Sequence, residues 1–189
     1  MRYIIFLVLT ILVFIPFRSH ASMTEEAVSS SLIQLLKYNP NHKLRKDPKH
    51  LKRFTLAVLA AANTADVKAA AIIATSYAES TFKMNTKGKI GELGTMQLHG
   101  KAQWSYCRLK ENRKINRKLL EDQLICGGHW LRMSIDICNG TYYEGFASYM
   151  TKKTCKPKRR TRLQWVVMRR LNLMWDIQNG TISLTKPKN

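Results

Sequence analysis

The chain opens on an unbroken apolar run, Tyr3 to Phe17, flanked by Arg2 and Arg18. The run is short for a bilayer span, and Ser19-His20-Ala21 places a small-x-small cleavage site directly behind it. This pattern predicts a secretory leader over residues 1–21 and a secreted or periplasmic mature chain. An uncleaved membrane anchor is the alternative reading of the same residues. Under either reading the remainder folds outside the reducing cytoplasm, which gives the cysteines a structural meaning. Cys107, Cys126, Cys138 and Cys155 all lie in the second half, spaced C-x18-C-x11-C-x16-C. An even count in an exported chain predicts two disulfides, with three connectivities open. The absence of any C-x2-C pair argues against a zinc site, and no metal or other cofactor is expected.

Charge narrows the partners. The formal net charge is +20, and without Arg2 and Arg18 the 32 basic residues become 30 against 12 acidic ones. Such a field draws polyanions. For an exported chain, anionic cell-wall polymers, acidic wall peptides and anionic membranes fit better than nucleic acid. The 189 residues suffice for one domain with a real core, and 45% are hydrophobic, which excludes a disordered chain.

Hydrophobic periodicity then predicts the elements. Thr24 to Lys37 reads as a helix with Glu25 and Glu26 in its first turn, stopped by Asn39-Pro40-Asn41. His42 to His50 reads as a basic surface loop containing Pro48. Helices follow from Leu51 to Ala62 and from Ala65 to about Ser80. The second of these is expected to bury Val67, Ala71, Ile72, Thr75 and Ala78. Asn85, Gly88, Gly91 and Gly94 punctuate a loop or small hairpin over residues 83–94. Helical patterns return at Arg117 to Ile125 and at Gly128 to Ile137, with a turn at Asn139-Gly140. Another helix begins near Gly145. The last runs from Arg162 to Asn179, with Leu163, Val166, Val167, Met174 and Ile177 facing inward and Gly180 as terminator. The expected organisation is an N-terminal helical extension over 22–64, a predominantly helical α+β domain over 65–180, and a flexible tail over 181–189.

One constellation carries chemistry. Tyr77-Ala78-Glu79-Ser80-Thr81-Phe82 places a carboxylate at the end of an apolar helix, just ahead of a glycine-rich stretch. Apolar neighbours and the negative end of the helix dipole both favour the neutral acid. A carboxyl so held can donate a proton to a glycosidic oxygen.

Glu79-Ser80-Thr81-Phe82, followed after twelve residues by Gly91-Glu92-Leu93-Gly94-Thr95-Met96-Gln97, resembles the signature of the soluble lytic transglycosylases, which are related in fold to goose-type lysozyme. That signature is Glu-Ser-x-Phe, then Gly-Ala-x-Gly-Leu-Met-Gln at the same separation. Gly127-Gly128-His129-Trp130-Leu131 is similar to the family's Gly-Ala-x-Tyr-Leu helix. Phe146-Ala147-Ser148-Tyr149 is similar to its Ala-Ala-Tyr segment, and Thr161-Arg162 with Trp165-Val166 to its last motif. The likeness spans roughly residues 66–175. It implies a lysozyme-like fold, a monomer, and cleavage of peptidoglycan glycan strands between muramic acid and glucosamine. It implies Glu79 as the catalytic acid and base, Ser80, Met96 and Gln97 lining the sugar groove, and Tyr149 hydrogen-bonding near Glu79.

Two departures bear on outcome. Glu92 stands where the family has alanine; it reads either as a solvent-facing loop residue or as a second carboxylate across the cleft, which would turn the reaction towards hydrolysis. Met150 stands where the family has asparagine, which removes an amide from the groove. His99 reads as a loop histidine beside the groove, and His129 as a packed helical one. The basic run from Lys152 to Arg162 reads as a solvated surface. A third reading, from another functional class, is a cationic wall-binding protein without catalysis.

Overall fold

Side-chain caps set the start of four of the described helices. The computed structural model describes residues 23–151, 155–158 and 161–183, so the leader expected at 1–21 lies outside them, as does most of the tail. Helix α1 (Glu25–Leu35) starts where the Thr24 hydroxyl accepts from the Ala27 amide at 3.2 Å. The expected loop at 42–50 is instead helical. His42 Nδ1 caps a single turn, α2 (Lys43–Lys46), which drives Leu44 into the core. Asp47 then caps α3 (Pro48–Ala65), accepting from the His50 amide at 3.1 Å. Pro48, expected in a loop, is the first residue of that helix, where its missing N–H costs nothing.

Helix α4 (Ala69–Ser80) is buried all round from Ala69 to Ser76, so it runs through the core rather than over it. Ala78, expected in the buried stripe, is exposed near its C-terminal end. A two-stranded antiparallel sheet follows, β1 (Glu92–Leu93) and β2 (Leu98–His99), with Glu92 opposite His99 and Leu93 opposite Leu98. Helix α5 (Gly100–Glu111) had no expectation from sequence. Its apolar cover is narrow: Trp104 and Cys107 join Leu98 and Cys126 in a small satellite cluster.

Where two helical segments were expected, one continuous helix, α6 (Leu120–Ile137), runs through Gly127-Gly128. These glycines serve close packing. A Cβ on Gly128 would sit 2.9 Å from the Ala65 Cβ and 3.2 Å from the Ala61 carbonyl of α3, and one on Gly127 would overlap Met96. Helix α7 (Tyr142–Thr151) begins after the left-handed Asn139 and Gly140 of the expected turn. Helix α8 (Arg162–Asn179) has the expected ends, with the expected Gly180 terminator left-handed; its Thr161 cap is a further finding. Its buried face carries Val167, Arg170, Met174 and Ile177; Val166, expected inward, is exposed.

The molecule is thus predominantly helical with one small sheet. Val28, Leu32, Phe54, Val58 and Ala61 from α1 and α3 belong to the same core cluster as Ile72, Leu131, Phe146 and Met174. The segment expected as an extension therefore supplies part of the main core. Two disulfides, Cys107–Cys126 and Cys138–Cys155, resolve the open connectivity; their Cα atoms lie 5.1 and 5.3 Å apart. Both fit an oxidising compartment. Among the described residues no single helix is long and apolar enough to cross a membrane.

Candidate active site

Glu79 is the penultimate residue of α4, and the chain reverses sharply behind it. Thr81 (φ 53°) and Phe82 (φ 64°) are consecutive non-glycine residues in the left-handed region, a costly conformation for a β-branched threonine. What holds them is burial: Phe82 is enclosed by Phe54, Tyr77 and His42 at ring-centroid distances of 5.5, 5.6 and 6.5 Å.

Ser80 fastens this turn to the hairpin. Its hydroxyl lies 2.8 Å from the Thr95 carbonyl and 3.2 Å from that of Ser76, and it accepts from the Lys83 amide at 3.1 Å. Gln123 of α6 fastens the same hairpin from the other side. Its Oε1 accepts from the Thr95 amide and hydroxyl at 2.9 and 2.8 Å, and its Nε2 donates to the carbonyls of Met84 and Arg117. Gly94 (φ 81°) makes room for that amide, since a Cβ there would lie 2.5 Å from Gln123 Oε1. Glycine at this motif position thus meets both a backbone and a space requirement.

The result is a cleft of about 310 Å³ lined by Glu79, Glu92, Gln97, Tyr149, Lys89 and His99, with Gly88, Gln103 and Met150 completing the wall. Residues far apart in sequence meet here: Glu79 from α4, Glu92 and His99 from the hairpin, Tyr149 from α7. Gln97 Nε2 donates to the carbonyls of Thr86 and Gly94 at 3.0 and 2.8 Å, and Glu92 Oε2 accepts from the Ile90 amide at 3.1 Å. Met150 stands in the wall.

Ser80 and Met96 are not among the lining residues. Ser80 is buried with its hydroxyl already engaged, and Met96 is 1% exposed in the core against Gly127. Tyr149 is buried, and its hydroxyl donates to the Met96 carbonyl at 2.7 Å rather than to Glu79. Burial pushes its phenol well above the ordinary range; the Glu79 charge adds to this and Arg170 opposes it. Tyr149 is therefore a neutral donor at any physiological pH. His129 packs away from the cleft, its Nε2 2.5 Å from Glu111 Oε1.

The largest difference from expectation concerns the partner of Glu79. Sequence placed its carboxyl among apolar neighbours, but Arg170 Nη2 of α8 donates to Glu79 Oε1 at 2.8 Å. The guanidinium is almost wholly enclosed, 3% exposed against 23% for the Glu79 side chain. Its Nε and Nη1 are buried with no hydrogen-bond partner among the described residues, and it stands 5.9 Å from the Phe146 ring centroid. A readable signal existed: Arg170 falls at i+3 from Val167 and i−4 from Met174, on the inward stripe of α8. Among the described residues no cluster of three potential metal ligands occurs. Compared with known proteins, the chain matches no protein-family model and no curated protein sequence.

Proposed function

We propose that the chain is an exported peptidoglycan-cleaving enzyme, a lytic transglycosylase that uses Glu79 as both general acid and general base. The observation that supports this best is the meeting of Glu79, Glu92, Gln97 and Tyr149 around one open cleft, from separate elements held together by Ser80 and Gln123. Glu79 is the half-exposed carboxyl of that cleft, positioned at a reversal that is expensive to build.

In this reading a glycan strand lies in the cleft with its muramic acid–glucosamine oxygen beside Glu79. The carboxyl protonates the leaving oxygen as the C–O bond breaks. The resulting carboxylate then takes the proton of the muramic hydroxymethyl group, whose oxygen closes an anhydro ring. One carboxyl used twice suffices, and no water is consumed. The second reading, hydrolysis, is favoured by a specific feature: Glu92 lines the same cleft and could hold a water or stabilise an oxocarbenium ion. The leader at 1–21, cleavage after Ala21 and secretion or periplasmic residence complete the proposal, supported by the two disulfides. The partners are glycan strands and, through the net charge of +20, anionic wall polymers.

Purified sacculi test it. The parent chain clears a sacculus suspension and Glu79→Gln, confirmed folded by circular dichroism, does not. Equal clearing by the two would leave only the non-enzymatic, wall-binding reading.

A further inference from the structure

Arg170 is a buried cation whose one ion-pair partner among the described residues is Glu79. Two of its three nitrogens have no acceptor among the described residues, which leave Glu79 as the one anion paired with this buried charge. A guanidinium has five donors and no acceptor, and it does not deprotonate in proteins. A proton on Glu79 Oε1 would therefore face a donor that cannot accept it, whereas the carbonyl form of Oε1 accepts in both protonation states.

We infer that Arg170 is the positioning residue of the Glu79 site: it clamps Oε1 from inside the fold and leaves Oε2 as the oxygen that exchanges a proton with substrate. This rests on the reading of Glu79 as an acid–base catalyst. In the first step the Oε2–H bond breaks and its proton goes to the glycosidic oxygen, which leaves with the C–O electron pair. In the second, the hydroxymethyl O–H gives its proton to Oε2 as the oxygen bonds to the anomeric carbon. Glu79 ends protonated, as it began, and Arg170 stays a cation throughout. The clamp spares Glu79 from rotating between steps, since one oxygen serves both.

The clamp holds Glu79 by charge and by a hydrogen bond, and this makes it measurable. The charged and titratable groups facing Glu79 are Arg170 from α8, Tyr149 from α7, and Lys89, Glu92 and His99 from the hairpin region. Removing the guanidinium takes away the cation nearest the carboxyl.

The test uses Arg170→Met and Arg170→Lys in the full chain, with product release from sacculi followed against sacculus concentration. In Arg170→Met the apparent kcat falls at least about tenfold while the apparent KM stays within about twofold, and Arg170→Lys, which keeps a cation beside Oε1, recovers part of the loss. Equal losses in the two variants, or a change in KM alone, would make Arg170 a packing residue and overturn the clamp. A thermal double-mutant cycle reads the pairing without any activity. Glu79→Ala strands the buried cation and lowers Tm by about 4 °C or more, and adding Arg170→Met recovers a large part of that loss. If the two losses simply add, the clamp fails. If the parent releases no product at any sacculus concentration, the enzymatic reading falls and the cycle alone decides the clamp.

Discussion

Asp122 and Arg170 are both buried charges, 3% and 4% exposed, yet the fold treats them differently. Asp122, in the first turn of α6, has both oxygens engaged: Oδ1 by Arg113 Nη2 and Oδ2 by the Asn116 amide, each at 2.6 Å. Its cation keeps much of its hydration, with the Arg113 side chain 43% exposed. Arg170 has the opposite character: the cation is the enclosed partner, one nitrogen is used, and its carboxylate opens into a cleft. A fully satisfied pair repays its desolvation by fixing local shape, here the entry into α6. A pair left half-satisfied is a worse way to hold a fold, and such groups concentrate where chemistry needs them.

That contrast can be broken by experiment. The largest effect expected is on activity: Glu79→Gln lowers product release at least about a hundredfold. Next comes Asp122→Ala, which leaves the Asn116 amide without its acceptor while Arg113 keeps solvent and Glu111, and costs about 1–3 kcal/mol, read by urea unfolding. Activity per folded molecule stays at the parental level. A large loss of turnover there, with stability unchanged, would invert the assignment of the two pairs.

A third region sharpens the comparison through pH. His42 and His50 are both held below the ordinary histidine value, chiefly by burial, with Lys83 and Lys43 among the cations that add to it. A depressed histidine contributes stability that is complete above its unfolded value of 6.5 and is lost as pH falls through the folded value. Tm should therefore decline as pH drops below about 6.5. His42→Asn, which keeps a side-chain acceptor for the Leu44 amide and removes the titration, flattens that decline. An unchanged slope would assign the loss to other groups. The smallest effect belongs to Arg53–Glu121, a bidentate but exposed pair with contacts of 2.7 and 2.9 Å. Arg53→Ala should cost about 0.2–1 kcal/mol in the same unfolding assay.

How much of this was legible beforehand follows from which forces leave a mark on sequence. The C-terminal end of α8 is readable because Gly180 is a local signal, and the hairpin region because glycine punctuates it. Helix α5 was not, since its stability leans on the Cys107–Cys126 link and a narrow strip around Trp104. The continuity of α6 through Gly127-Gly128 is not readable from sequence, because only the neighbouring helix α3 reveals that Gly128 serves close approach. At the site, Glu79, Glu92, Gln97 and Tyr149 could be named from a motif and its spacing. Ser80 and Met96 came from the same motif but do not line the cleft. Arg170 is 91 residues from Glu79, and only tertiary packing brings the two together.

Mass spectrometry of the soluble products from purified sacculi decides whether Glu79 acts twice in one cycle. Muropeptides ending in 1,6-anhydromuramic acid are expected from the parent chain and absent with Glu79→Gln. Reducing muramic ends would transfer the chemistry to a hydrolytic pair of Glu79 and Glu92, and products that persist in the Glu79 variant would contradict catalysis by Glu79.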